Sequence, residues 1–151
     1  MGNRPEGYHS ITPQITVSDA AAAIDLYKRA LGAVEVTRMA MPGTGKIMHA
    51  CLSIGDSRFF LGDEMPQMGQ LAPKDGIGGA RFYIYVEDVD ASHKKALAAG
   101  MREKAAPGDM FWGDRTSVLT DRFGQSWTLA THKRDVSSEE MMQAMQAMGR
   151  K

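Results

Sequence analysis

Three short runs carry most of the side chains able to do chemistry. In KIMHACLSIG (46–55), His49 and Cys51 stand two apart and therefore share one face of a strand. His49 can move protons near neutral pH, and with His9, Glu64, Asp114 or His132 brought close the pair would make a non-standard metal site. In RFYIYV (81–86), Arg81, Tyr83 and Tyr85 alternate in the same way. They would present a fixed cation for a carboxylate or phosphate and two rings for a flat or apolar ligand, with Phe60 as a third ring. In FWGDR (111–115), Phe111 and Trp112 can close over a pocket mouth and Gly113 allows tight approach. Asp114 and Arg115 would either pair with each other or address a polar substrate.

Each candidate also has a purely structural reading. Arg81 can bridge to Glu64 or Asp114 on a sheet face, the aromatic rings can fill an interior, and His49 can be a packed, hydrogen-bonded histidine. His132, at the end of the last strand, reads as an edge or interface residue, and GTGK and GIGG lack the spacing of a phosphate loop.

The elements that must position these residues occur twice. Residues 11–17 alternate as a strand, with Pro13 suited to an edge or a strand start. SDAAAAIDLYKRALG then has an acidic or hydroxyl cap, an apolar stripe and a terminal glycine, the signature of a helix. Strand VEVTRM, a PGTG turn and a hairpin broken at Gly55 and Asp56 follow. After a loop rich in Met, Pro and Gly (63–79), RFYIYVEDVDASHKKALAAG repeats strand, cap and helix. A weak strand near 101–106, a loop opened by Pro107 and Gly108, and a hairpin turning at Phe123 and Gly124 complete the second copy. The spacings from Asp19 to Asp88 and from Gly32 to Gly100 agree to within one residue, which supports a duplication.

Alternation gives each strand two faces. Ile11, Ile15, Val17, Met48, Ala50, Leu52, Ile54, Phe59, Leu61, Phe82, Ile84, Val86, Trp127 and Leu129 form the face to be buried under two helices. The other face is expected to carry Thr12, Gln14, Thr16, His49, Cys51, Arg58, Phe60, Arg81, Tyr83, Tyr85, Arg115, Ser117 and Thr128. That mixture suits a cavity lining, or a face covered by water or by another subunit. A last segment, 137–149, has a capping box in Ser137 and Glu140 and a stripe of Met141, Met145 and Met148 that must dock on its own sheet or on a partner.

The chain has 151 residues, 43% of them hydrophobic and 24% charged, which fits a single globular domain over 1–151 with modules at about 8–63 and 80–133. Eighteen basic residues balance eighteen acidic ones, so neither nucleic acid nor an anionic membrane is an expected partner. No stretch is apolar enough to span a bilayer. The lone Cys51 excludes an internal disulfide and fits a reducing, cytoplasmic setting.

SDAAAAIDLYKRALGA, YVEDVDASHKKALAAG, FWGDR and the ending DRFGQSWTLATHK together resemble the vicinal-oxygen-chelate superfamily of glyoxalases, bleomycin-resistance proteins and extradiol dioxygenases, and within it the PhnB-like branch. The resemblance implies an α+β fold of two βαβββ modules forming a curved mixed sheet around a cavity, commonly completed in a homodimer. It also places the four ligand positions of metal-dependent members on Thr12, Phe60, Arg81 and Thr128, none a credible ligand for nickel, zinc or iron. No metal or cofactor is therefore expected.

Three functions remain open. The first is metal-free binding of a small organic molecule through Thr12, Phe60, Arg81, Tyr83, Tyr85, Trp112, Arg115 and Thr128. The second is a small-molecule enzyme, a glyoxalase-like lyase or isomerase or a dioxygenase-like protein, using His49 with Asp114 or a non-standard metal site. The third is a non-catalytic dimeric scaffold.

Overall fold

The computed structural model describes residues 2–75 and 78–149. Two βαβββ modules follow one another. The first contains β1 (Gln14–Val17), α1 (Ala20–Leu31), β2 (Val34–Ala40), β3 (Ile47–Ile54) and β4 (Ser57–Asp63). The second contains β5 (Arg81–Tyr85), α2 (Val89–Ala98), β6 (Arg102–Asp109), β7 (Asp114–Thr120) and β8 (Ser126–His132), and α3 (Ser138–Met148) closes the chain. The sheets have equivalent orders, β1-β4-β3-β2 and β5-β8-β7-β6. In each, the first strand runs parallel to the last and the remaining pairs are antiparallel.

The repeated helix starts have one physical cause. Asp19 accepts a hydrogen bond from the Ala22 amide and Asp88 one from the Ala91 amide, each satisfying an amide that the first helical turn leaves free. Gly32 takes the left-handed conformation (φ 66°) that ends α1. Helix α1 lies on the first sheet, α2 lies on the second, and the two helices pack together. One apolar core joins the modules: Tyr27 of α1 and Phe59 of β4 meet Trp127 of β8, and Phe82 stacks on Trp127 with ring centroids 4.5 Å apart.

The two mixed sheets surround a central cavity of about 490 Å³, the arrangement the resemblance implied. Four local expectations fail. Strand β1 begins only at Gln14, after Pro13, and Ile11 is 83% exposed. In β3 a register shift against Met39 and Ala40 inserts an extra residue, turning Ile47 into the core and leaving Met48 at the surface. Strand β6 runs through Pro107 and Gly108 with register shifts in place of a loop, as an edge strand permits. In β7, Ser117 pairs with Leu129 and Arg115 with Thr131 on the helix side, so these two side chains do not belong to the face opposite the helices. Both faces of β7 carry hydroxyls, which left its parity ambiguous in the sequence.

Helix α3 has the capping box of Ser137 and Glu140. It buries none of its residues and packs on no other helix or strand among the described residues. No helix of the described residues is long and apolar enough to cross a membrane.

Candidate functional site

The outer face of the second sheet is a grid fixed by register. Tyr83 pairs with Thr128, Thr128 with Val118, Tyr85 with Ala130, and Ala130 with Thr116, and directly paired residues point the same way. At the end of this grid Asp114 faces His132 across the β7–β8 ladder.

Asp114 is buried and organises the surrounding side chains. Tyr83 Oη donates to its Oδ2 at 2.6 Å and Tyr85 Oη at 3.1 Å, while its Oδ1 lies 2.8 Å from His132 Nδ1. Trp112 Nε1 donates to the Tyr83 hydroxyl at 3.3 Å, and His132 Nε2 lies 2.9 Å from Asp135. Burial alone would raise the Asp114 pKa, but bonds from Tyr83, His132 and Tyr85 outweigh it and hold the carboxyl below its usual range. Loss of hydration together with the bond to Asp114 pushes Tyr83 up to about 12, and the bond to Asp114 raises Tyr85. Asp114 and then Asp135 raise the pKa of His132.

The cluster is locked more than poised. Both phenols are weaker acids than free tyrosine and both nitrogens of His132 face carboxylates, so no group is left as a general base near neutral pH. What the lock does is orient rings. Tyr83 and Tyr85 stand 5.5 Å apart, and Trp112, set edge-on to Phe111 at 5.0 Å, reaches over them from the β6–β7 loop. Gly113 makes this loop possible: its φ is 99°, and a Cβ there would collide with the Arg134 carbonyl oxygen. Tyr83 and Tyr85 also border the central cavity, whose other walls include Ile11, Phe59, Phe82 and Trp127.

The first sheet presents a different surface. Phe60 and Cys51 pair on its outer face, His49 packs on the Phe60 ring at 4.6 Å, and Tyr8 covers them. The Tyr8 ring lies 5.9 Å from Phe60 and under the Arg58 guanidinium, and its hydroxyl is 3.5 Å from Cys51 Sγ. Cys51 is buried as a result. Thr12 precedes β1 and is half-buried.

The structure thus brings together Asp114, Tyr83, Tyr85 and Trp112 and keeps Thr128 on the same face. It does not pair His49 with Asp114: His49 belongs to the first sheet, and the histidine on Asp114 is His132. Nor does it pair Asp114 with Arg115, which binds Asp90 of α2 through two bonds and Asp109 through a third. Consecutive strand residues point to opposite faces, so those neighbours separate. His132 was readable as a site residue from the parity of β8, where it follows Thr128 and Ala130. Tyr8 lies outside any repeating pattern and had no such signal.

The four positions matching the ligands of metal-dependent glyoxalase-like proteins do not fit a metal. Thr12, Phe60, Arg81 and Thr128 offer no imidazole, thiolate or carboxylate. Among the described residues no three His, Cys, Asp or Glu side chains gather into a metal-holding group.

Duplicated βαβββ modules with helices on one side and a cavity between the sheets define a class of small-molecule pocket proteins and enzymes. Residues 8–129 match the model of the Glyoxalase/Bleomycin resistance protein/Dioxygenase superfamily, and the chain belongs to that family. An uncharacterised protein of Mycobacterium bovis is 40% identical over 144 residues, covering 93% of this chain and 94% of its own length. Among solved structures, TioX from Micromonospora sp. ML1 superposes with a TM-score of 0.67 at 23% identity, covering 82% of this chain and 98% of its own. A glyoxalase/bleomycin resistance protein/dioxygenase from Nocardioides gives 0.64 at 17% identity, covering 91% and 90%. At such identities these two likenesses concern the fold alone.

Proposed function

We propose that this chain binds a small organic molecule bearing a flat apolar ring, without a metal, in the central cavity and against the rim formed by Tyr83, Tyr85 and Trp112. The observation that carries this reading is the Asp114 network, which fixes the aromatic rim beside a cavity of about 490 Å³ and leaves none of its own members free as an acid or base. The acid-base alternative loses support because His49 and Asp114 lie on different sheets and His132 is held between two carboxylates. Phe60 and Thr12 would contribute from the first module when a second copy completes the cup, and the reading includes a homodimer. FWGDR and FGQSWTLATHK favour the PhnB-like branch, and the lone, buried Cys51 favours a reducing compartment such as the cytoplasm.

A neutral aromatic dye, N-phenyl-naphthylamine, tests the proposal through its fluorescence on binding. The expected result is saturable binding at one dye per chain, weakened roughly 3- to 10-fold by Trp112→Ala and by Tyr83→Ala, as loss of one aromatic contact implies. Absence of saturable binding, or unchanged affinity in both variants, would overturn it.

A further inference from the structure

A second cleft, of about 610 Å³, lies at the other end of the same sheet. Its floor is a single row across all four strands: Arg81 pairs with Ser126, Ser126 with Thr120, and Thr120 with Arg102. Register puts all four side chains on one face, so two hydroxyls lie side by side with a guanidinium flanking them at either end. Lys104 and Arg122 add two more cations to the walls.

Cations without an ion pair occur elsewhere among the described residues, Arg4, Arg58 and Lys94 among them, but these four share one cleft. Arg29, Arg38, Arg115 and Arg134 each hold a carboxylate. Among the described residues, Arg81, Arg102, Lys104 and Arg122 form no ion pair with an acid. Two acids also line the cleft, yet only Asp75 is exposed. Asp121 is buried and already accepts from Tyr27 Oη, Trp127 Nε1 and the amides of Phe123 and Gln125. A chain with no net charge has therefore gathered four cations without an ion pair around two hydroxyls in one cleft, with Asp75 as its one exposed acid. An anion of more than one charge would be drawn to that grouping.

We infer that this cleft binds the phosphate group of a small molecule, a phosphomonoester or a diphosphate. Guanidinium forks bind phosphate oxygens through paired charge-assisted hydrogen bonds, Ser126 and Thr120 donate to the oxygens between them, and Lys104 supplies a point charge. The cleft's modest size and the chain's zero net charge favour a small ligand over a nucleic-acid backbone. The site stands independently of the aromatic rim.

Calorimetric titration with pyrophosphate, inorganic phosphate, phenyl phosphate and acetate at low ionic strength tests the site. Pyrophosphate is expected to bind at one per chain and acetate not at all; the two remaining probes separate a preference for free phosphate from one for an organic ester. Arg81→Gln and Arg102→Gln should each weaken pyrophosphate at least tenfold, whereas Arg134→Gln, a cation outside the cleft, should not. Circular dichroism of the variants confirms the fold, and their dye binding should persist. No pyrophosphate binding at millimolar concentration, equal losses in Arg134→Gln, or displacement of pyrophosphate by a single-stranded oligonucleotide with steep salt dependence would each overturn the inference.

Discussion

Asp114 shows how one buried charge can set a surface without reacting. Three donors converge on it from β5 and β8, and in return it fixes the proton of each phenol and the orientation of His132. The pH dependence of this arrangement has two sides. His132 has a raised folded pKa, so its contribution to stability is fully present below the ordinary value of 6.5 and is lost as pH rises through the raised value. Asp114 has a lowered one, so its contribution is present above the ordinary 3.8 and is lost as pH falls through the lowered value. The wild type should therefore gain thermal stability over His132→Gln chiefly at mildly acidic pH, the advantage shrinking above the histidine's titration and at strongly acid pH. Melting curves across pH check this, and an NMR titration should show the His132 midpoint above 6.5 in wild type and lower in Asp114→Asn. An His132 midpoint at or below 6.5 in wild type would remove the ion pair from the account.

At the scale of elements, the two modules look alike but are secured differently. In the first, buried Asp63 at the end of β4 accepts from the Ala20 amide at 2.9 Å and the Ile47 amide at 2.6 Å, tying the start of α1 to the bulged start of β3. Removing it strands two buried amides, each costing about 1–3 kcal/mol, so Asp63→Ala should destabilise by about 2–6 kcal/mol in urea unfolding. Asp19→Ala removes an exposed cap and should cost only about 1 kcal/mol. Equal costs would mean that the link between α1 and β3 carries no special weight. Nothing in the sequence marked Asp63, because it stands where a strand runs into a loop. Helix caps and strand order were legible there: Asp19, Asp88 and the repeated alternation follow from local rules that tertiary contacts did not override. The bulge at Met48, the late start of β1 and the parity of β7 depend on which partner strand a residue meets, and alternation within one strand cannot report that. Of the candidate site, the aromatic residues of β5 and the FWGDR loop were readable, whereas their convergence on Asp114 and the Arg81–Arg102 row required knowledge of the neighbouring strands.

For the whole molecule, the decisive contrast is between a sealed interior and unfinished exterior surfaces. Inside, Tyr27 of α1 donates to Asp121 at 2.6 Å beside Trp127, so a buried polar bond crosses from the first module into the β7–β8 turn of the second. Outside, Val34, Val36, Met39 and Met48 are exposed on β2 and β3, and Met142, Met145 and Met148 are exposed on α3. An eleven-residue helix that packs on no other element among the described residues has little stability of its own in water, even with a capping box. Helix α3 leaves from the end of β8 in the second module, whereas β2 is the outermost strand of the first. A second copy of the chain, as proposed above, would supply both surfaces at once, since the helix of each copy can cover the β2 edge of the other in a closed, self-complementary pair. Light scattering after size-exclusion chromatography should then give twice the chain mass for the full protein and one chain mass for a version ending at Asp135. A full-length monomer at micromolar concentration would exclude the pairing. A truncated chain that still dimerises would show that the sheet faces form the contact, leaving α3 free to serve another partner.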